Sequence, residues 1–226
     1  MALTFPLPIP IEKIRSIDFN LAEYMAVNML GGGQTQVRSL AQRRWRAVMT
    51  TPPVSEADAQ KWEAWRDAQR GGLHNALLYN PARAYPVAYR QAAIDAGGFV
   101  PMVKAGGGAF TGAAVVSGLA TYAIGLSGLP IGFLMGAGDL VGLIGADGKY
   151  ALHRIVEDAI GDGSGVATVA VEAEVLTSLF NIGSPGVTAT FVKPSCLMTF
   201  ETGTWSANRD AGGPQPISFS MIQALY

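Results

Sequence analysis

Apolar and polar side chains alternate along much of this chain, and the alternation predicts β-strands. The run 17–21 has the two-residue period of a strand with one buried face. Residues 139–144 and 150–156 flank a Gly-Ala-Asp-Gly stretch at 145–148, which is a strong signal for a β-hairpin. Further strands are predicted over 73–79, 166–171, 187–192, 196–201 and 217–222.

One more strand is predicted over residues 37–49, where alternation sorts the side chains onto two faces. Arg44, Arg46 and Val48 fall on one face, and Arg43, Trp45, Ala47 and Met49 fall on the other. Because the chain has a net charge of -1 and a pI near 6.1, we expect no specific nucleic-acid binding. Trp45 is expected in the core. The basic cluster is interpreted as a set of possible inter-subunit contacts, and its members are Arg38, Arg43, Arg44 and Arg46.

A capped amphipathic helix is predicted over residues 56–70. Ser55 is a suitable N-cap, and Asp58 stands at capping-box spacing from it, in a first turn where the helix dipole favours acidic residues. Two glycines follow the helix and supply a left-handed ending. Trp62 and Trp65 share one face, so packing of the helix against the core is favoured over exposed platforms for sugar stacking.

Composition favours a β-rich architecture. Glycine contributes 28 of the 226 residues, well above the usual share of about 7%. Many of these glycines stand between short apolar runs, as turn residues do. The strands and the single conspicuous helix predict a mainly β fold, a β-sandwich or barrel with one α-helix packed against it over about residues 56–70.

Candidate chemistry is sparse. The lone Cys196 cannot form an internal disulfide. The chain has only two histidines, His74 and His153, so it lacks the cysteine and histidine ligands of a structural zinc site. The glycine and serine spacings of nucleotide-binding loops and serine hydrolases do not occur. The acidic residues within 157–162 are interpreted as a solvated turn rather than as calcium ligands. We therefore expect no enzyme activity, no catalytic residue, no cofactor and no metal.

No charged residue occurs between Lys104 and Asp139. A membrane span is the main alternative here, but glycines, a proline and hydroxyl side chains interrupt the apolar run of about 20 residues that a bilayer requires. We expect no stable membrane insertion, and instead a pair of glycine-broken strands or a loop covered by other subunits. The predicted organisation is an extended proline-rich arm over 1–14 and a single β-rich domain over 15–226, with 96–138 as an uncharged Gly-rich loop or inserted segment.

Several stretches, which together cover most of the chain, carry a resemblance to a known family. They are IPIEKIRSIDFNL, RRWRAVMTTPP, EADAQKWEAWRDAQRGG with a strand ending in YNP, LMGAGDLVGLIGADGKYALHRIVEDA and FVKPSCLMTFETGTW. In this order they resemble the distal tail protein family of long-tailed bacteriophages. Members of that family are structural proteins that form a ring between the tail tube and the tail tip.

The resemblance implies a β-sandwich or barrel related to tail tube subunits, assembled as a ring that is usually sixfold, with no catalytic residue to carry over. The implied partners are further copies of the chain, the tail tube and hub or tail-tip proteins. The implied location is the virion tail, assembled in the host cytoplasm. Two other functions stay open: another minor tail or hub protein, and a carbohydrate-binding or hydrolytic tail-tip protein.

Overall fold

The computed structural model describes residues 5–10, 14–29, 32, 34–180, 186–207 and 215–224. Over these residues β-strands predominate, and the helical elements are two α-helices and three short 3-10 turns. The strands include a closed barrel. The predicted mainly β fold is therefore confirmed.

The helices are α1 (Glu56–Ala68) and α2 (Val87–Asp95). In chain order the strands are β1 (Leu7–Pro8), β2 (Ser16–Ala22), β3 (Met25–Met29), β4 (Thr35–Ser39), β5 (Arg44–Thr50), β6 (Ala76–Tyr79), β7 (Met102–Val103), β8 (Ala109–Phe110), β9 (Ala113–Ala120), β10 (Ala123–Ser127), β11 (Leu134–Met135), β12 (Leu140–Ile144), β13 (Tyr150–Ile155), β14 (Ala159–Ile160), β15 (Val166–Glu172), β16 (Thr188–Thr190), β17 (Ser195–Phe200) and β18 (Ser218–Gln223).

The chain divides into two compact units, where the sequence predicts a single domain over 15–226. The first unit contains the residues up to Ala76 and those from Met198 onward, and the second contains 77–197. The chain passes from one unit to the other within β6 and β17. Hydrophobic periodicity identifies strands one at a time and carries no information on which strands share a sheet, so it could not predict this division.

A six-stranded sheet has the order β1-β6-β17-β18-β5-β2. The strands β18, β5 and β2 pair antiparallel, with Phe19 of β2 opposite Ala47 of β5. Two smaller two-stranded sheets, β7–β8 and β11–β14, belong to the second unit, and the hairpin β3–β4 belongs to the first.

The predicted arm over 1–14 is described only in part. Leu7–Pro8 is the edge strand β1, and Ile9 is buried. The rest of the arm includes residues 1–4 and 11–13, which lie outside the described residues. Within the described part of the arm, Leu7–Pro8 is therefore a strand of the six-stranded sheet.

The strand β5 shows the predicted alternation. Trp45, Ala47 and Met49 are fully buried, whereas Arg46 and Val48 between them are exposed. The predicted continuity of the strand over 37–49 is wrong, because β4 ends before β5 begins and the two pair with different neighbours. The connecting residues contain neither glycine nor proline, so the break leaves no signal in the sequence.

The helix α1 lies within the predicted range of 56–70. The side-chain oxygen of Ser55 accepts a hydrogen bond from the backbone N–H of Asp58 at 3.3 Å, as the capping box predicts. Beyond the helix, Arg70 and the two glycines that follow it have positive φ angles of 47°, 66° and 101°. The left-handed ending thus begins one residue before the glycines.

The second unit is built around a closed barrel of six strands in the order β10-β15-β13-β12-β16-β9. Phe110, Phe133 and Phe191 are fully buried in its core. The Phe133 ring lies 5.0 Å from Phe110 and 5.3 Å from Phe191 between centroids, both in edge-to-face geometry. Burial of this apolar interior is the main term that stabilises the unit.

The segment 96–138, predicted as a Gly-rich loop or inserted segment, contains the strands β7 to β11, and two of them, β9 and β10, belong to this barrel. Within it β9 and β10 form an antiparallel hairpin with a register shift between Gly125 and Leu126, so the predicted pair of glycine-broken strands is confirmed. Its buried side chains, such as Val116, face the core of the same unit. Among the described residues, no helix combines the length and the apolar character needed to cross a membrane.

The predicted hairpin around 145–148 is confirmed. β12 and β13 pair antiparallel with Ile144 opposite Tyr150, and the N–H of Gly145 donates to the carbonyl of Lys149 at 2.9 Å.

The helix α2 was not predicted. It follows Pro86, which offers no side-chain cap, so the usual start signal is missing from the local sequence.

Candidate interaction surface

The hairpin formed by β3 and β4 carries an apolar face that is exposed to solvent. Val27 lies opposite Val37, and Met25 and Met29 stand on the same face at two-residue spacing. Val27, Val37 and Met29 keep 61%, 57% and 80% of their surface exposed. A two-stranded hairpin is at best marginally stable in water, and contiguous exposed apolar surface marks interaction sites. This face is therefore a candidate for burial against another chain.

The opposite face of the same hairpin is more polar. Asn28 lies opposite Gln36, and Arg38 lies opposite Ala26. The hairpin is therefore amphipathic, and its exposed apolar side chains are gathered on one face. Sequence reasoning missed it, although alternating apolar residues from Met25 and a run of glycines before β4 were available as signals.

The strand β2 forms one edge of the six-stranded sheet and leads directly into the hairpin. It pairs with β5 from Ser16 to Ala22. Within the part of the chain that the structure describes, no strand pairs with its other edge. An unpaired edge presents backbone N–H and C=O groups that a strand of another chain can bind.

The four arginines singled out by sequence do not form one patch. Arg46 on β5 makes an ion pair with Glu201, with Nη2 at 2.9 Å from Oε2 and Nε close to both carboxylate oxygens. Hydrogen bonding and charge attraction from Glu201 raise the pKa of Arg46. Nη1 of Arg43 lies 3.8 Å from Oε1 of Glu23, which is a second ion pair.

The remaining two arginines occupy different strands. Arg44 lies opposite Ala22 at the start of β5, whereas Arg38 lies on β4 in the amphipathic hairpin. Arg38 is exposed and Arg44 is half-buried. Arg38 is therefore the member of the cluster that belongs to the candidate interaction surface.

Trp62 and Trp65 face the interior of the first unit. Their exposed fractions are 1% and 9%. Their rings lie 5.6 and 5.8 Å from the ring of Phe219, and Trp65 also contacts Phe200. The two indoles pack the helix against the sheet, so neither offers an open platform for a sugar.

His153 is buried on the same side of β13 as Ala151 and Ile155, which belong to the barrel core. Its Nδ1 lies 3.0 Å from the carbonyl oxygen of Ala173. A carbonyl oxygen only accepts, so Nδ1 carries the hydrogen and donates a hydrogen bond to that oxygen. No described residue makes a hydrogen bond to Nε2. Burial lowers the pKa of His153 to about 4, and the hydrogen bond to Ala173 only partly opposes this. Among the described residues, no hydroxyl group makes the hydrogen bond to His153 that the base of a serine hydrolase makes.

Two of the three acidic residues within 157–162 accept hydrogen bonds from backbone N–H groups. Asp162 Oδ1 accepts the N–H groups of Ser164 and Val166 at 2.8 and 2.9 Å. Asp158 accepts the N–H of Ala137 at 2.7 Å. In the described ranges, no group of three or more His, Cys, Asp or Glu side chains is placed to hold a metal ion. These carboxylates stabilise turns.

No protein-family model matches this chain, and no curated protein matches it either. The functional assignment therefore depends on the residues of this chain and on their geometry. The most informative feature is the amphipathic hairpin next to an open sheet edge.

Proposed function

We propose that this chain is a structural virion protein of a long-tailed bacteriophage. Copies of it would form a closed ring, expected to be hexameric, that joins the tail tube to the tail tip or baseplate hub. The observation that carries this proposal is the exposed apolar face of the β3–β4 hairpin. The order of sequence elements, which resembles distal tail proteins, supplies the biological context.

A closed ring needs two different surfaces on each subunit, one that meets the neighbour ahead and one that meets the neighbour behind. The hairpin with the adjoining β2 edge offers one such surface, because both apolar side chains and unpaired backbone groups gain from a partner. Arg38 on the more polar face of the hairpin would then contact the rim of the interface, where charged side chains remain hydrated.

Oligomeric mass tests the proposal. Native mass spectrometry and electron-microscopy class averages of the purified chain should show a closed ring of fixed subunit number. Val27→Lys places a charge on the apolar face and should give monomers, whereas Asn28→Lys places the same charge on the opposite face and should leave the ring intact. A monomeric wild-type chain, or a Val27→Lys variant that still forms rings, would contradict the proposal.

Location on the virion distinguishes a distal ring from another minor tail or hub protein. Antibody labelling of intact tails should mark a single band at the junction of tube and tip. Labelling along the tube or only at the outermost tip would instead support the other tail components.

Circular dichroism of both lysine variants should match the wild type, because Val27 and Asn28 are exposed.

A further inference from the structure

A cleft of about 340 Å³ in the first unit combines aromatic surface with charged side chains. Its lining residues include Arg66, Asp67, Arg70, Phe200, Thr202 and Trp205. Small-molecule sites have volumes of roughly 300–1,000 Å³, so the cleft lies at the lower end of that range. All of these residues belong to the first unit, so a single protomer supplies them.

Arg66 is held at the wall of the cleft by two neighbours. Its guanidinium carbon lies 5.1 Å from the centroid of the Trp205 ring, a cation–π contact. Its Nε and Nη2 both donate to Oδ1 of Asp67, at 3.0 and 2.8 Å. Nη1 of Arg66 and Oδ2 of Asp67 make no hydrogen bond to a described residue. Both residues line the cleft, so Arg66 can donate to a ligand there and Asp67 can accept from one.

Arg70 stands where the backbone favours glycine. Its φ angle is 47°, and the two residues after it are glycines that also have positive φ. A non-glycine residue in this conformation costs free energy, and such residues concentrate at ligand sites. The guanidinium of Arg70 makes no ion pair with a described residue, and the side chain lines both this cleft and a neighbouring cleft beside His74.

The aromatic surface of the cleft is rigid. Phe200 and Trp205 each pack against Phe219, with ring centroids 5.4 and 5.5 Å apart. Phe200 is buried, so the half-buried Trp205 supplies the aromatic surface that a ligand can reach, and its exposed part suits the C–H groups of a sugar ring. The carboxylate of Asp67 and the hydroxyl of Thr202 can bond to sugar hydroxyls, and the two arginines suit a carboxylate.

We propose that this cleft binds an acidic saccharide. The sugar carboxylate pairs with Arg70 and Arg66, and the hydroxyls bond to Asp67 and Thr202. A simple anion such as phosphate fits less well, because it lacks the C–H surface that would contact Trp205 and the several hydroxyl groups that would bond to Asp67 and Thr202. Saccharide binding does not require ring assembly, because the lining residues named above all belong to one protomer.

Saturation-transfer NMR and isothermal titration calorimetry with digalacturonate test the ligand class. Digalacturonate should bind, and the neutral analogue galactobiose should bind at least roughly tenfold more weakly, because it lacks the charge-assisted contacts to arginine. Acetate and inorganic phosphate should neither bind nor compete. Equal binding of the neutral analogue, competition by phosphate, or no saturation transfer from either saccharide would overturn the proposal.

The variant Arg70→Gly tests the site. It should weaken digalacturonate binding by roughly tenfold or more, while the thermal midpoint stays the same or rises, because glycine adopts positive φ without strain. Arg90→Ala removes an exposed arginine of the second unit and should leave binding unchanged. An Arg70→Gly protein that binds digalacturonate as the wild type does would overturn the assignment. The subunit number, measured on the same samples, keeps this result separate from that of the ring proposal.

Discussion

Asp139 caps the helix α2 through Val87, although the two residues are 52 positions apart in the chain. The N–H of Val87 donates to Oδ1 of Asp139 at 2.9 Å, and the N–H of Gly136 donates to Oδ2 at 2.8 Å. The side chain is buried, with 3% of its surface exposed. One carboxylate therefore holds the start of a helix and the turn before β12 together.

The variant Asp139→Ala should lower the free energy of unfolding of the second unit by about 2–3 kcal/mol, because it removes a helix cap and leaves two backbone N–H groups without their partner. Denaturant unfolding followed by circular dichroism measures this. As a control, Asp158→Ala removes a single bond, to the N–H of Ala137, and should cost less than about 1 kcal/mol. Equal losses in the two variants would contradict the capping role of Asp139.

His153 makes the stability of the barrel depend on pH. Its pKa is about 4 in the folded protein, below the ordinary value of 6.5, because burial disfavours the charged ring. The unfolded chain therefore binds the proton more readily. The stabilisation is fully present above about pH 6.5 and is lost as the pH falls toward about 4, and it amounts to on the order of 3 kcal/mol.

The variant His153→Gln should unfold with a shallower pH dependence between pH 4 and 6.5 than the wild type, since glutamine does not titrate. Urea midpoints measured across this interval give the slopes. His74→Gln is the matched control, because His74 is only half-buried and stacks on Phe5. Identical slopes for the wild type and His153→Gln would show that the imidazole contributes nothing to the pH dependence.

Cys196 should report on unfolding of the strand β17. Its side chain is fully buried, and burial raises the pKa of the thiol, so the reactive thiolate is scarce in the folded protein. Labelling by a maleimide at pH 8 should be slower than for the unfolded chain by about a hundredfold or more. The control variant Ser164→Cys in a Cys196→Ala background carries its thiol at an exposed turn and should react at the rate of the unfolded chain. Rapid labelling of native Cys196 would mean that β17 opens readily.

Local patterns predicted the parts of the fold that local interactions stabilise. The helix α1 has its cap at Ser55, a few residues from the groups that it bonds, and its buried face repeats at helical spacing. The faces of β5 followed from alternation, and the turn at 145–148 followed from its glycines. In each case the residues that decide the structure are close in sequence.

Long-range pairing decided what the patterns could not. Barrel closure joins Ala114 of β9 to Ala189 of β16, and the cap of α2 comes from Asp139. The candidate saccharide cleft likewise joins the end of α1 to residues near Trp205. No local pattern encodes such partners, because their attraction depends on packing that exists only after the chain has folded.

The sequence by itself determined that this protein is mainly β, where its principal helix lies and which side chains of β5 are buried. Only the tertiary structure decided that there are two units, that the uncharged stretch before Asp139 supplies two strands to a closed barrel, and that the apolar face of the β3–β4 hairpin is exposed. The physical reason is that periodicity states which side chains seek burial, whereas sheet pairing determines which of them achieve it.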